Sequence, residues 1–262
     1  MPSRDFAKPF RILVLLLVLT PALAQGEDTQ NCTEKALAAL RTTLPISPND
    51  NILASACKPW PDDKSRMLVA IAYEPAAPET GLQEFQAPFY VAMVNAETFQ
   101  VISRYQSKIE GDATTDIHGM SFWLDTARYY LNKDTRAFGL RIRSFHDRCT
   151  YEGGFDNELK LFVIEGFNIR PVLQGLYLSV WNREGQSCGG EPANGDVAEV
   201  TRSVALSLSV EPTRTNDYAD LLITATRVEN KRTEAVKVRY NGKEYAPVPY
   251  FHYDPSRKLW QD

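Results

Sequence analysis

Chemistry-bearing residues are scarce in this chain. Its 262 residues include only three histidines and four cysteines. His118, His146 and His252 each stand near an aspartate (Asp116, Asp147 and Asp254) but far from one another. A zinc site needs three or four converging ligands, and no spacing here makes a local pair, so neither a metal nor a cofactor is assigned. There is no H-E-x-x-H helix signature and no phosphate-cradling P-loop. No catalytic residue is therefore nominated, and an enzyme would need a site assembled from distant parts of the chain. Basic runs are also missing. The formal net charge is −4, and a nucleic-acid binder usually carries a basic face, so nucleic acid is disfavoured as a partner. No Gly/Ser-rich or Pro-rich linker divides the chain, which favours one domain over residues 25–262.

Long apolar runs are absent too, save one. Residues 12–19 are an unbroken apolar stretch preceded by Arg4, Lys8 and Arg11 and followed by Ala22-Leu23-Ala24. A membrane span needs roughly 20 apolar residues. The pattern instead fits a signal peptide over residues 1–24, cut before Gln25. Its removal takes away three cations and Asp5, which moves the net charge from −4 to −6. The expected product is a periplasmic or secreted protein with no integral membrane segment. An acidic surface remains compatible with a cationic protein partner.

All four cysteines, Cys32, Cys57, Cys149 and Cys188, lie after the cut. An even count in an exported chain reads as disulfides. Three connectivities are open. Sequential pairing, Cys32–Cys57 and Cys149–Cys188, is expected because each bond then clips a local segment.

What the chain has in quantity is alternating apolar sequence. Residues 159–181 read as a strand, a tight turn at Glu165-Gly166-Phe167-Asn168, a return strand and a third strand, bracketed by Cys149 and Cys188. Residues 236–248 repeat the plan more weakly, and residues 89–105 more loosely still. Residues 67–73 place Met67, Val69, Ile71 and Tyr73 on one face and Leu68, Ala70 and Ala72 on the other, a strand buried on both sides. Residues 122–131 and 136–143 pair across Asn132-Lys133-Asp134-Thr135, with Phe138, Leu140 and Ile142 facing in. Val204, Leu206, Leu208 and Val210 alternate with small residues. Residues 33–41 read as a short helix capped by Asn31 or Thr33 and ended by Pro45, and residues 45–65 as loop. The expected fold is all-β: antiparallel hairpin units forming a propeller-like or sandwich domain, with one short N-terminal helix.

The hairpin Tyr240-Asn241-Gly242-Lys243-Glu244-Tyr245 resembles a motif of uncharacterised exported bacterial proteins, in which a strand ends in Tyr/Phe-Asp/Asn-Gly and resumes with an aromatic. Residues 127–142 are similar to another segment of those proteins. The resemblance implies an envelope setting and brings no catalytic residues. Its Asn-Gly pair predicts the type I′ turn of a two-residue hairpin. Residues 216–222 are similar to the calcium loops of integrin-type propeller repeats, but the alternating Asp/Asn ligands and the Gly are missing, so calcium is not carried over.

Aromatic residues offer the one lead to a surface. Trp60, Trp123, Trp181, Trp260 and the Tyr129-Tyr130 pair could form a sugar platform or protein hot spots, although core packing accounts for most such residues. If Leu178 and Val180 face the core, Tyr177 and Trp181 face away from it, which makes Tyr177 and Trp181 the candidate binding residues. The expected function is a non-enzymatic exported protein that binds a protein or another component of the cell envelope, such as an inhibitor or immunity protein. A carbohydrate-binding module, with a glycan on the Tyr177–Trp181 face, is the alternative, and an enzyme with a non-local site the third.

Overall fold

A computed structural model describes residues 30–76, 85–111, 116–144, 153–184, 200–245 and 259. The signal peptide, Cys149, Cys188, His146, His252 and Trp260 lie outside these residues. One helix, α1 (Glu34–Thr43), is followed by eleven strands, all in one mixed sheet that does not close into a barrel. The fold is therefore all-β with a single helix. The strands do not divide into the separate blades of a propeller.

α1 starts where Thr33 accepts a bond from the Ala36 amide (3.2 Å), with Glu34 in the positive first turn and Arg41 in the last. Its buried face, Ala36 and Leu40 with Leu44 beyond its end, packs on Val69, Ile71, Tyr73, Tyr90, Ala92 and Val94. These belong to β2 (Arg66–Glu74) and β3 (Phe85–Asn95). The opposite face of β2 (Leu68, Ala70, Ala72) joins a second cluster, so this strand is covered on both sides, as its sequence predicts.

The remaining strands are β1 (Asn51–Pro59), β4 (Val101–Gly111), β5 (Phe122–Tyr130), β6 (Arg136–Ile142), β7 (Gly153–Glu165), β8 (Asn168–Glu184), β9 (Val200–Thr215), β10 (Tyr218–Arg227) and β11 (Thr233–Val238). Their order is β1-β2-β3-β4-β8-β7-β6-β5, with β9, β10 and β11 continuing from β8. Every pairing is antiparallel except the single β4–β8 bridge, Arg104 to Asn168. The first eight strands curl around an aromatic interior that includes Phe89, Phe122, Phe138 and Phe162. β10 and β11 pack on the other face of β7 and β8 to form a second core with Leu159, Leu161, Val163, Leu173, Leu176, Leu221 and Ile223. β7 thus alternates between two cores, with Phe162 in one and Leu161 and Val163 in the other.

Three sequence expectations need correction. Residues 45–65 are not all loop, because Asn51–Pro59 forms β1, paired to β2 from Asn51–Glu74 to Pro59–Met67. Residues 168–181 are one strand rather than two. Pro171 sits where the only ladder partner of β8 is β7, since β9 joins at Ser179 and β4 touches Asn168 alone, so no bond is lost to its missing N–H. Gly175, at φ 72°, absorbs a register shift opposite residues 159–161. Asn241-Gly242 is not a two-residue turn either. Tyr240 bridges Tyr245 across four residues, with the Asn241 side chain accepting from the Lys243 and Glu244 amides (2.8 Å each). The two-residue turn with both φ positive falls at Asn216 (50°) and Asp217 (70°), between β9 and β10. The two hairpins that look alike in sequence touch in space: Arg170 donates to the Lys243 carbonyl and to the Tyr240 hydroxyl while pairing with Glu165.

The end strands of the curl meet at one residue. The Gln30 carbonyl accepts from the Cys57 amide of β1 (2.6 Å), and its side chain bonds both backbone groups of Leu124 on β5. The Leu124 amide donates to Oε1 (2.7 Å), and Nε2 donates to the Leu124 carbonyl (3.1 Å). The Cys32–Cys57 disulfide, as expected from the sequence, ties this segment to β1.

Candidate binding surface

Register fixes where the two nominated residues point. Tyr177 pairs with Glu158, Ser179 with Asp156 and Trp181 with Gly154, and antiparallel partners share a face. On β7 the same face continues through Lys160 to Phe162, which pair with Leu140 and Phe138 of β6. Leu176 and Leu178 take the opposite face and pack into the second core. The alternation read from sequence therefore holds, but the Tyr177–Trp181 face is an extension of the first core's inner face rather than a plain outer surface.

Both residues are half-buried. The Trp181 indole lies on the backbone of Gly154, where an added Cβ would come within 3.0 Å of its Cε2, Cζ2 and Nε1 atoms. Phe155, 44 % exposed, stands with its ring 5.5 Å from that of Tyr177. Glu158 pairs with Lys160 at 2.8 Å and accepts from the Gly175 amide at 3.0 Å. Burial, then the neighbouring Glu158 carboxylate, push the Tyr177 phenol above its usual pKa. The arrangement is an aromatic ledge with an adjacent carboxylate and ammonium, suited to stacking and hydrogen bonding. Gly154→Val is expected to lift Trp181 off the sheet and red-shift its fluorescence, a change that emission spectra of the folded variant would read.

The other aromatics serve packing. Trp60 is buried against Phe138 with its ring edge-on at 6.1 Å. The Arg136 guanidinium lies 5.1 Å from the Trp60 ring and 5.4 Å from that of Tyr130, and pairs with Asp62. Lys58 stands 5.4 Å over Trp123, which is 40 % exposed. Tyr129 is buried and donates to Asp125 (3.1 Å).

Asp125 is the buried carboxylate that sequence reasoning missed. It accepts from the Ala127 amide (2.9 Å), Tyr129, and Arg141 Nε and Nη2 (3.0 and 2.5 Å). With both oxygens occupied by donors from its own strand and from β6, it is placed to pin the β5 bulge rather than to exchange protons with a substrate. An acid in a strand, with an arginine on the next strand, was the available sign.

Two serine spacings also carry no site. Ser55-Ala56-Cys57-Lys58 has S-x-x-K spacing, but on β1 an offset of three puts Ser55 and Lys58 on opposite faces. Gly185-Gln186-Ser187-Cys188-Gly189 has G-x-S-x-G spacing and lies outside the described residues. A nucleophile elbow needs a strand followed by a helix, whereas this segment stands between the antiparallel strands β8 and β9. His118 sits in a turn, its Nδ1 accepting from the Met120 amide (3.3 Å). Among the described residues, no group of three or more His, Cys, Asp or Glu is placed to hold a metal ion, and no helix is long and apolar enough to cross a membrane.

These features define a disulfide-stapled, all-β protein with one helix. No protein-family model, no curated protein and no solved structure matches the chain.

Proposed function

We propose that this is an exported, non-enzymatic binding protein that uses the Tyr177–Trp181 ledge to hold a protein or another component of the cell envelope. The observation that carries the reading is Trp181 laid on Gly154 beside the Phe155–Tyr177 pair, an aromatic group on one hairpin backed by two cores. Aromatic side chains on a rigid base supply contact area with little entropy left to lose. The acidic net charge and the Cys32–Cys57 disulfide support an extracytoplasmic setting. An inhibitor or immunity protein against an envelope-acting toxin or hydrolase fits this reading. A carbohydrate-binding module is the second reading, favoured by the same stacked rings.

The test is a pull-down of residues 25–262 from a periplasmic extract at low and high salt, alongside Trp181→Ala and Tyr177→Ala. A stoichiometric partner retained by the wild type and lost with either variant is the expected result, with weaker capture at high salt if exposed charge pairs contribute. A partner captured equally by both variants would remove the ledge from the account. A glycan array with the same variants separates the second reading.

A further inference from the structure

The open seam of the curled sheet is a second surface, independent of the aromatic ledge. Following strand directions across the sheet, six antiparallel steps and one parallel step leave β1 and β5 running the same way. At Cys57 and Leu124 they are held together by Gln30, whose backbone serves one strand and whose side-chain amide serves the other. Towards their N-terminal ends the strands part. There a cleft of about 530 Å³ opens, lined by Asn51–Ser55 of β1, by Glu34, Leu37 and Arg41 of α1, and by Gly119 just before β5.

The backbone groups facing this cleft follow from alternation. The Cys57 amide points at the seam, so Ser55, two residues before it on β1, does too. Both backbone groups of Leu124 point at the seam, so those of Phe122 do likewise. Ser55 and Phe122 are buried residues. No backbone partner for either appears among the described residues apart from the ladders of β1 with β2 and β5 with β6. Backbone N–H and C=O groups are strong, near-obligatory hydrogen-bonding groups. Gln30 shows what the gap accepts, because at its level one residue's backbone and side chain satisfy both edges.

We infer that the seam receives an extended polypeptide segment from a partner protein, inserted as a strand antiparallel to both β1 and β5. The other occupants fit less well. A second copy pairing edge to edge is hindered, because α1 stands beside β1 as one wall of the cleft. The chemistry of the segment follows from the walls. Residues facing inward meet Ala54 and the aromatic core and should be small and apolar. Those facing outward meet exposed Glu34, while the Arg41 guanidinium is already bound to the Ser47 and Asp50 carbonyls, so a basic residue is favoured there. Met120, 69 % exposed and next to Gly119, offers an apolar contact at the mouth. Backbone pairing would provide the affinity and the alternating side chains the selectivity.

The probe is a fluorescein-labelled heptapeptide alternating valine and threonine with a lysine at each end, titrated with residues 25–262 and followed by anisotropy. The expected result is saturable binding, with amide shifts of Ser55 and Phe122 in ¹⁵N-resolved spectra. A strand between two strands uses both edges, so N-methylation at either parity of the peptide should weaken binding, by about five- to tenfold per bond removed. A peptide added to one edge would tolerate methylation at one parity. Absence of saturable binding, indifference to methylation at either parity, or shifts confined to the Tyr177–Trp181 ledge would each overturn the proposal. Trp181→Ala should bind this peptide as the wild type does, so failure here is distinct from failure of the ledge.

Discussion

Asp125→Ala is expected to destabilise the protein by about 3 kcal/mol, and unfolding in urea at pH 7 would measure it. The substitution removes one acceptor that serves three groups. Arg141 loses a two-point contact, the Tyr129 hydroxyl loses its partner inside the second core, and the Ala127 amide loses the bond that shapes the β5 bulge. Removing one member of a buried pair costs about 3–5 kcal/mol because the other charge is left uncompensated. Arg141 keeps over a third of its side chain in solvent, which moves the expectation to the lower end. Asp125→Asn is the milder change, since it keeps an acceptor for Ala127 or Tyr129 but loses the charge facing Arg141.

The same carboxylate makes stability depend on pH. Burial would raise the Asp125 pKa, but the Ala127 amide, the Arg141 guanidinium and the Tyr129 hydroxyl outweigh it and hold the group below its ordinary value. A group whose pKa is depressed in the folded state stabilises fully above its unfolded pKa and loses that contribution as pH falls through the folded value. The unfolded value is about 3.9. The wild type should therefore lose more stability than Asp125→Asn as pH is lowered below about 4. Urea midpoints at pH 5 and pH 3 would show it, and equal losses in both proteins would place the acid sensitivity elsewhere.

Strands with clean alternation are legible in the amino-acid sequence alone. β2, β6 and β9 show why: one or both faces carry apolar residues at a period of two, and the pleat leaves no other reading. β1 is not legible, because Asn51, Lys58 and Pro59 bound a short run of small residues whose burial comes from α1 on one side and the aromatic interior on the other. β8 divides wrongly in sequence because Pro171 and Gly175 read as punctuation. In the sheet both sit where the strand's second edge has no ladder partner, a condition set by β4 and β9 far away in sequence. The ledge is half legible. Parity places Tyr177 and Trp181 together, but no local pattern can reveal that their face continues into the first core, since that depends on the register of β7 against both β6 and β8. Gln30 leaves no sign at all. A lone glutamine before a cysteine acquires its role only when two strands nearly a hundred residues apart present their backbones to it.

The second large effect should come from the staple at that seam. Replacing Cys32 and Cys57 with serine removes a cross-link spanning 25 residues, and the chain-entropy relation gives about 3.5 kcal/mol for such a loop. Gln30→Ala should cost about 2–3 kcal/mol by leaving the part-buried amide and carbonyl of Leu124 without their partner. The two losses should not add. Gln30 stands two residues before Cys32, and it can bridge β1 to β5 only while its own backbone is held beside Cys57. With the disulfide gone, residues 30–32 are tethered by far less, so the bridge forms part of the time and its deletion matters less. A double-mutant cycle measured by urea unfolding is expected to show a coupling of about 1 kcal/mol or more. Strict additivity would mean that Gln30 closes the seam without the staple, and that the disulfide acts only on the unfolded chain.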